Sequence, residues 1–307
     1  MERLSHSLIR QIITDEDRPR RLEKYSAEVV AAVYRYGDFV GSSIESYPLE
    51  GRLMERARQL VADCDRCERS FPSGMVLLAH ELTESRGRFR RVWHAPPGGL
   101  WMTLVIANTL LPASTALYPL AAGLACCEAV RQYEIDAKVK WVNDVQVSGR
   151  KICGILAETF TSPKYNEEYI LIGVGVNVNN QSFPPELGSL AVSMRDVLGR
   201  EIDLELFAAR LLAKFVWSIG LLHHEEQQRL DRGNDDDQAD HLHPVLEGWR
   251  ELTDCIGRQV WFGYDVQEKP QYRAKVMGLD PSGGLILKHQ QDGVVVVEHA
   301  GEIMYID

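Results

Sequence analysis

The chain has 307 residues, 45% of them hydrophobic and 25% charged, and a formal net charge of −10. A chain of this length can bury a substantial core, as one large domain or as a large and a small one. Its acidic balance argues against a nucleic-acid partner, because phosphate binding needs concentrated lysine and arginine. No apolar run reaches the roughly 18–20 residues of a membrane span, and the N-terminus lacks the apolar stretch of a secretion signal. We therefore expect a cytoplasmic protein with no membrane partner.

Residues 1–37 are predicted to form a helical extension, with amphipathic pieces around residues 8–13 and 29–34. A winged-helix DNA-binding module needs about 60 residues, with strands and a basic recognition helix. This segment is shorter and evenly charged, so no DNA-binding arm is expected.

Residues 38–248 alternate between strand and helix patterns, which predicts one larger domain. The strands are apolar or β-branched runs bounded by Gly, Pro or Asn, at residues 75–80, 101–107, 139–142, 152–159 and 169–177. The helices have apolar residues at helical spacing, at residues 52–63, 117–133 and 204–223. Their mixed order predicts an α+β fold with a largely antiparallel sheet. Within this domain the charged run 225–240 is predicted to be a mobile acidic loop.

Residues 249–307 are predicted to form a second, smaller domain. Their pattern changes to short strands separated by turn residues, at residues 259–263, 273–279, 285–289 and 294–299. Several short strands in so few residues predict a small β-barrel.

An arginine-rich segment, ESRGRFRRVW at residues 84–93, is the first of three that carry candidate chemistry. It concentrates four arginines and a glycine in six residues of an otherwise acidic chain. Guanidinium groups on a flexible backbone suit a polyphosphate site. The alternative interpretation is an ordinary solvated basic loop.

The second segment is KWVND at residues 140–144, followed by GRKICGILAE at residues 149–158. We predict a hairpin in which Lys140 and Lys151 could converge on one pocket. A surface hairpin with ordinary salt bridges is the alternative.

The third segment is GVGVNVN at residues 173–179. Two glycines in a strand permit close backbone approach, and its two asparagines fall on one face at a spacing of two. Asparagine can orient a phosphate or a metal-bound water, whereas a plain packing site is the alternative.

In order and spacing, the three segments resemble the biotin–protein ligase signatures GRGRxGRxW, KWPND with G(R/K)K(L/I)xGIL(V/A)E, and GIGxNVN. Residues 40–45 are similar to that family's segment lining the biotin ring pocket, and the closing strands resemble its small barrel. The resemblance covers residues 38–307 and implies a mixed, largely antiparallel sheet with helices plus a C-terminal SH3-like β-barrel. The implied reaction forms biotinyl-5'-AMP from biotin and ATP, then transfers biotin to a lysine of a biotin carboxyl carrier protein or a biotin-dependent carboxylase domain.

The resemblance also implies roles for individual residues. Lys151 and Arg88 would be catalytic. The residues expected to bind biotin are Ser42, Ser43, Thr83, Arg86, Lys151 and Gly154. Those expected to bind ATP or the adenylate are Arg86, Gly87, Arg88, Trp93, Asn143, Asp144 and Asn177. Mg²⁺ would enter with ATP and meet Asn177 indirectly, with no tightly bound cofactor, and a homodimer through a sheet edge is a further expectation.

Three residues depart from the family pattern. Ser85 and Arg90 replace loop glycines, and Leu82 stands where the family usually has a glutamine against biotin. An unpaired polar group on the acid would cost about 1–3 kcal/mol, and side chains in place of glycine restrict loop closure. Two alternatives therefore stay open: a ligase for lipoate or octanoate, and a non-catalytic relative that binds biotin or a carrier. The pair Ser42 and Ser43 and the C-terminal barrel favour biotin, whereas Arg86, Arg88 and Lys151 favour a ligase over a binding protein.

Overall fold

The centre of the protein, seen in a computed structural model that describes residues 3–181, 183–232 and 242–306, is a seven-stranded sheet. Its strands are β1 (Ile44–Tyr47), β2 (Met75–Ala79), β3 (Leu100–Ala107), β4 (Lys138–Lys140), β5 (Asp144–Val147), β6 (Arg150–Thr161) and β7 (Glu168–Val176). Their order in the sheet is β1-β2-β3-β7-β6-β5-β4. The pair β1–β2 is parallel and every other neighbouring pair is antiparallel. The predicted α+β fold with a largely antiparallel sheet is confirmed.

Helices cover both faces of this sheet. They are α1 (His6–Ile12), α2 (Arg18–Leu22), α3 (Ala27–Gly37), α4 (Leu53–Arg66), α5 (Pro112–Thr115), α6 (Tyr118–Arg131), α7 (Met194–Leu198), α8 (Leu204–Arg232) and α9 (Pro244–Leu252). Alternation along β2 shows the two layers, because successive strand side chains point to opposite faces. Val76 and Leu78 join the large core under α6 and α8, while Leu77 and Ala79 join the smaller core under α4.

Two helical stretches, Pro112–Arg131 and α8, are long and apolar enough to cross a membrane. Within the fold, however, 72% and 83% of their most apolar windows are buried. They are therefore core helices of this domain.

A second sheet follows α9. Its strands are β8 (Gln259–Gly263), β9 (Tyr272–Leu279), β10 (Leu285–His289), β11 (Val295–Glu298) and β12 (Glu302–Tyr305), all antiparallel, in the order β11-β10-β9-β8-β12. This sheet agrees with the predicted small β domain and adds a fifth strand, β12, that the sequence pattern did not reveal.

The N-terminal helices pack directly on α8 rather than standing apart from the main core. Ile9, Val30 and Val33 are buried in the same cluster as the apolar face of α8. The helical prediction for this segment is confirmed, whereas the domain boundaries at residues 38 and 249 stay predictions.

A buried ionic cluster fixes these helices to α6 and α8. Asp17 is fully buried and forms ion pairs with Lys214 of α8 and Arg21 of α2. Tyr34 donates a hydrogen bond to the same carboxylate at 2.7 Å, and Arg21 also forms an ion pair with Glu128 of α6. Each charge is matched by an opposite one, as burial requires.

The mobile acidic loop predicted at residues 225–240 is wrong for residues 225–232, which continue α8. Glu226 is 7% exposed, and its carboxylate accepts hydrogen bonds from the Leu111 backbone N–H at the start of α5. That buried pairing accounts for an ordered helix in a highly charged sequence. Residues 233–240 of the predicted loop lie outside the described part of the chain.

The strand predicted at residues 139–142 is also wrong in its extent. β4 ends at Lys140, residues 141–143 form a turn, and Asp144 begins β5. Trp141 leaves the strand because its ring is buried in the core, where its Nε1 donates to the Gly283 carbonyl at 3.2 Å. The predicted hairpin therefore pairs β5 with β6, and Lys140 lies on a separate strand.

Candidate functional site

Three glycines on the α4 side of the sheet form the floor of a cavity of about 290 Å³. Gly173 and Gly175 lie on β7, and Gly154 lies on the neighbouring strand β6, where it pairs with Gly175. A Cβ at Gly173 would lie 2.9 Å from Met54 Sδ, and one at Gly175 would lie 2.7 Å from Trp93 Nε1. A Cβ at Gly154 would meet Lys151 Cε at 2.9 Å. The prediction that glycines let other groups approach the backbone of this strand closely is thus confirmed. Along the cavity floor the approaching side chains are Met54 at one end, Trp93 in the middle and Lys151 at the other end.

The Lys151 end of the cavity is polar and charged. Lys151 Nζ lies 2.6 Å from Asp144 Oδ1 and 5.1 Å from the centre of the Trp93 ring. Arg88 reaches the same region, where its Nη1 donates to the Gly301 carbonyl at 2.9 Å and contacts Asn143 Oδ1 at 3.4 Å. Burial lowers the pKa of Arg88 from its usual value, since the charged form is desolvated there. Lys151 and Arg88 therefore meet at one end of the cavity, where Glu302 and Asp144 are neighbouring carboxylates.

Lys140 lies behind this end rather than in the cavity wall. Its Cα is the strand partner of Asp144, and its Nζ lies 5.4 Å from the centre of the Tyr305 ring. Burial lowers the pKa of Lys140, although the Asp144 carboxylate opposes that shift. The two lysines of the second segment thus flank Asp144, but only Lys151 lines the cavity.

Asn177 and Asn179 have different surroundings. Asn177 is 2% exposed, lines the cavity, and accepts a hydrogen bond from Asn180 Nδ2 at 2.8 Å. Asn179 donates to the Ile202 carbonyl at 2.8 Å and accepts from the Ile202 N–H at 2.9 Å. Asn179 therefore fixes a loop, which leaves Asn177 as the member of the pair that can face a ligand.

The C-terminal part of the chain contributes Glu302 of β12 and Gln267 of the turn between β8 and β9 to the cavity wall. Arg91 donates to both Glu302 carboxylate oxygens, at 2.8 and 3.0 Å, and to Asp265 Oδ1 at 2.6 Å. Together with the contact between Arg88 and Gly301, these bonds fasten the arginine loop to the second sheet.

Most of the predicted site residues come together in this cavity. Its wall includes Arg86, Gly87, Arg88, Trp93, Asn143, Asp144, Lys151, Gly154 and Asn177. It also includes Leu82 and Ser85, two of the residues that depart from the family pattern. Ser42, Ser43 and Thr83 are not part of it. The roles assigned to all of these residues stay predictions.

The three outlying residues have plain structural surroundings. Ser43 lies just before β1, where its carbonyl accepts from the Val76 N–H at 2.8 Å. Ser42 and Thr83 are exposed, and the Thr83 N–H donates to the Glu50 carbonyl at 3.0 Å. The segment that reaches the cavity from this region is instead the start of α4, at Arg52, Leu53 and Met54.

Sequence reasoning missed Arg52, Met54, Gln267 and Glu302 as cavity residues. The helical spacing of residues 52–63 predicted α4 but gave no sign of which turn would meet the glycine floor. Gln267 and Glu302 come from the far end of the chain, and no local pattern links them to the arginine loop.

The cavity as a whole has two chemically distinct ends. Cations at the Lys151 end suit phosphate and carboxylate oxygens, which favour charge-assisted hydrogen bonds. Leu82, Met54 and Leu156 make the other end apolar, suited to an aliphatic or ring-bearing acid. Such an arrangement can hold the carboxyl group of an acid against a nucleotide phosphate.

Comparison with known structures identifies this architecture. A biotin protein ligase from Aquifex aeolicus, solved in complex with biotin and ATP, matches with a TM-score of 0.66 at 21% sequence identity, covering 86% of this chain and 98% of that one. The fold is therefore that of the biotin protein ligases.

Sequence comparison assigns the family. Residues 58–177 match the biotin/lipoate A/B protein ligase family. The biotin–[acetyl-CoA-carboxylase] ligase of Paracoccus denitrificans is 33% identical over 228 residues, which cover 69% of this chain and 83% of that relative. The bifunctional ligase/repressor BirA of Bacillus subtilis is 35% identical over 136 residues, and the match spans 42% of its length. This chain belongs to the biotin–protein ligase family.

Proposed function

We propose that this chain activates biotin with ATP as biotinyl-5'-AMP and then transfers the biotinyl group to a lysine of a carrier protein. The observation that carries the proposal is the meeting of Lys151 and Arg88 at one end of a glycine-floored cavity whose other end is apolar. The names and bound ligands of the relatives, which include biotin and ATP, support the same acid and nucleotide. Because the reaction uses ATP, we propose the cytoplasm as its site.

In the first step the biotin carboxylate attacks the α-phosphate of ATP. A carboxylate oxygen–phosphorus bond forms, and the bond from that phosphorus to the bridging oxygen of pyrophosphate breaks. Both reactants are anionic, so Lys151 and Arg88 would reduce their repulsion and stabilise charge on the departing pyrophosphate. In the second step the neutral amine of a carrier lysine attacks the acyl carbon and an amide bond forms. The acyl carbon–oxygen bond to AMP breaks, AMP leaves with the bonding electrons, and the amine nitrogen loses one proton to solvent.

Mg²⁺ would arrive as part of the ATP substrate. In the described residues no group of three or more His, Cys, Asp or Glu side chains is placed to hold a metal. Mg²⁺ bound with ATP commonly takes phosphate oxygens and several waters as ligands. Asn177 Oδ1 already accepts one hydrogen bond and has a second lone pair for a metal-bound water.

A second candidate, a ligase for lipoate or octanoate, is favoured by one observation. Leu82 and Met54 give the acid-binding end apolar side chains where an amide would contact a polar ring. An acid without polar ring atoms would bring no ring group of its own that needs a partner beside these two side chains.

Pyrophosphate release from Mg–ATP with biotin, lipoate and octanoate in turn separates these proposals. We expect biotin to give the highest kcat/KM. Turnover with lipoate alone would replace biotin by lipoate as the substrate, and no turnover with any of the three would contradict the ligase proposal.

The link between Arg91 and Glu302 gives a further prediction. We expect Glu302→Gln to weaken the fastening of the arginine loop by about 1 kcal/mol, or roughly fivefold. A looser loop would release the adenylate more readily, so steady-state pyrophosphate release without any carrier should rise about fivefold. Glu298→Gln is the control, because Glu298 lies on β11 and accepts from Tyr272 instead. An equal change in pyrophosphate release for both variants would contradict a specific role of the bonds between Arg91 and Glu302 in holding the arginine loop.

A further inference from the structure

Among the described residues that line the cavity, Arg52 is a cation beside the apolar end, and neither the family resemblance nor the sequence pattern assigns it a role. Glu50 and Leu82 form a parallel bridge, and the Thr83 and Glu84 N–H groups donate to the Glu50 and Gly51 carbonyls at 3.0 Å each. This short ladder fixes the segment that ends at Arg52 beside Leu82.

Arg52 begins the turn from which α4 covers the glycine floor. It is the N-cap residue of α4, in an extended conformation, and it lines the cavity together with Leu53 and Met54. Met54 marks the end of the cavity opposite Lys151, since its Sδ packs over Gly173. Within the described part of the chain, Arg52 forms no side-chain ion pair. Arg56, one turn later, donates to Tyr47 OH at 3.3 Å.

We propose that Arg52 is the specificity residue for the acid, and that its guanidinium donates to the ring carbonyl oxygen of a cyclic urea such as that of biotin. The inference rests on the proposed function for the identity of the acid. A carbonyl oxygen buried among Leu82, Met54 and Leu156 needs a donor, and Arg52 supplies one in a fixed fork of N–H groups.

The same residue would discriminate against simple fatty acids. An acid with no acceptor at its far end would leave the guanidinium facing apolar atoms without a partner, which is costly for a charged group. A buried donor that rejects partnerless ligands gives stronger discrimination than a purely apolar pocket can. Arg52 therefore offers the chain a route to biotin selectivity despite Leu82.

The test is direct binding of biotin and octanoate in the absence of ATP, by titration calorimetry, to the full chain and three variants. Arg52→Met keeps an apolar stem and removes the donors, Arg52→Lys keeps a charge, and Arg56→Met is the matched control outside the cavity. We expect Arg52→Met to raise the Kd for biotin about 10- to 100-fold, with octanoate binding unchanged or tighter. Arg52→Lys should recover part of the loss, and Arg56→Met should bind biotin like the wild type.

Turnover gives an independent reading of the same residue. In pyrophosphate release, Arg52→Met should raise KM for biotin and leave kcat near that of the wild type, because the lost contact is made equally before and during the reaction. An unchanged biotin Kd in Arg52→Met, an equal loss for both acids, or a wild-type chain that binds no biotin would each overturn the role of Arg52. A wild type that binds biotin through Arg52 yet releases no pyrophosphate would instead contradict the proposed function alone.

Discussion

Replacing Lys151 by methionine is expected to lower the rate of pyrophosphate release by about 10²- to 10³-fold. The substitution removes the ammonium group that faces the cavity and lies 2.6 Å from Asp144 Oδ1. Without that ion pair, the Asp144 carboxylate would repel both anionic substrates. Because Lys151 is partly exposed, the fold should survive. The rate is measured with Mg–ATP and biotin, and circular dichroism checks the fold.

Lys138→Met is the matched control for this substitution. Lys138 lies in the same sheet, on β4, and its ion pair with Asp136 is not part of the cavity wall. We expect wild-type turnover from it. If Lys151→Met turned over as fast as Lys138→Met, the reacting groups would have to lie elsewhere in the cavity.

Asp17→Asn is expected to lower the free energy of unfolding by about 3–5 kcal/mol. The change keeps the shape of the side chain but leaves the buried ammonium of Lys214 and the guanidinium of Arg21 with less opposing charge. Denaturant unfolding at neutral pH measures the difference. Asp15→Asn is the control, because Asp15 is exposed on the same helical turn and should change stability little.

Acidification gives a second reading of the same cluster. Burial alone would raise the pKa of Asp17, but the charges of Arg21 and Lys214 outweigh it, and the pKa lies below its ordinary value of 3.8. A carboxyl group with a lowered pKa in the folded state stabilises the fold fully above its unfolded pKa and loses that contribution as pH falls through the folded value. The stability difference between wild type and Asp17→Asn should therefore be constant above about pH 4 and shrink below it. A difference that grew on acidification would contradict the cluster.

The sequence predicted the sheet well where periodicity is strong. The apolar runs that became β2, β3, β6 and β7 are buried between two helical layers, and their composition reflects that environment. β1 was missed because Ile44–Tyr47 is short, polar in part, and paired in parallel with a strand far along the chain. Likewise, the charged end of α8 contains Glu226, whose buried bond with the Leu111 N–H stabilises a helix that the charge pattern did not predict.

The residues of the candidate site also fall into two groups, those that the sequence predicted and those that it did not. Residues within a continuous motif, such as Lys151 and Asn143, could be predicted because one strand or turn positions them together. Arg52 and Glu302 reach the cavity from segments whose local sequence carries no functional pattern, and their position depends on how α4 and the second sheet pack. Packing also explains why a motif match can mislead. Ser42 and Ser43 resemble a family motif in sequence, but they lie outside the cavity wall.

The most direct test of the proposed function is a single reaction containing the full chain, Mg–ATP, biotin and a biotin carboxyl carrier domain, read by mass spectrometry of the carrier. We expect one biotinyl group on one carrier lysine, formed only when ATP is present and absent with Lys151→Met. A carrier that stays unmodified with the wild-type chain, while the same carrier accepts biotin from a known ligase, would contradict the proposal.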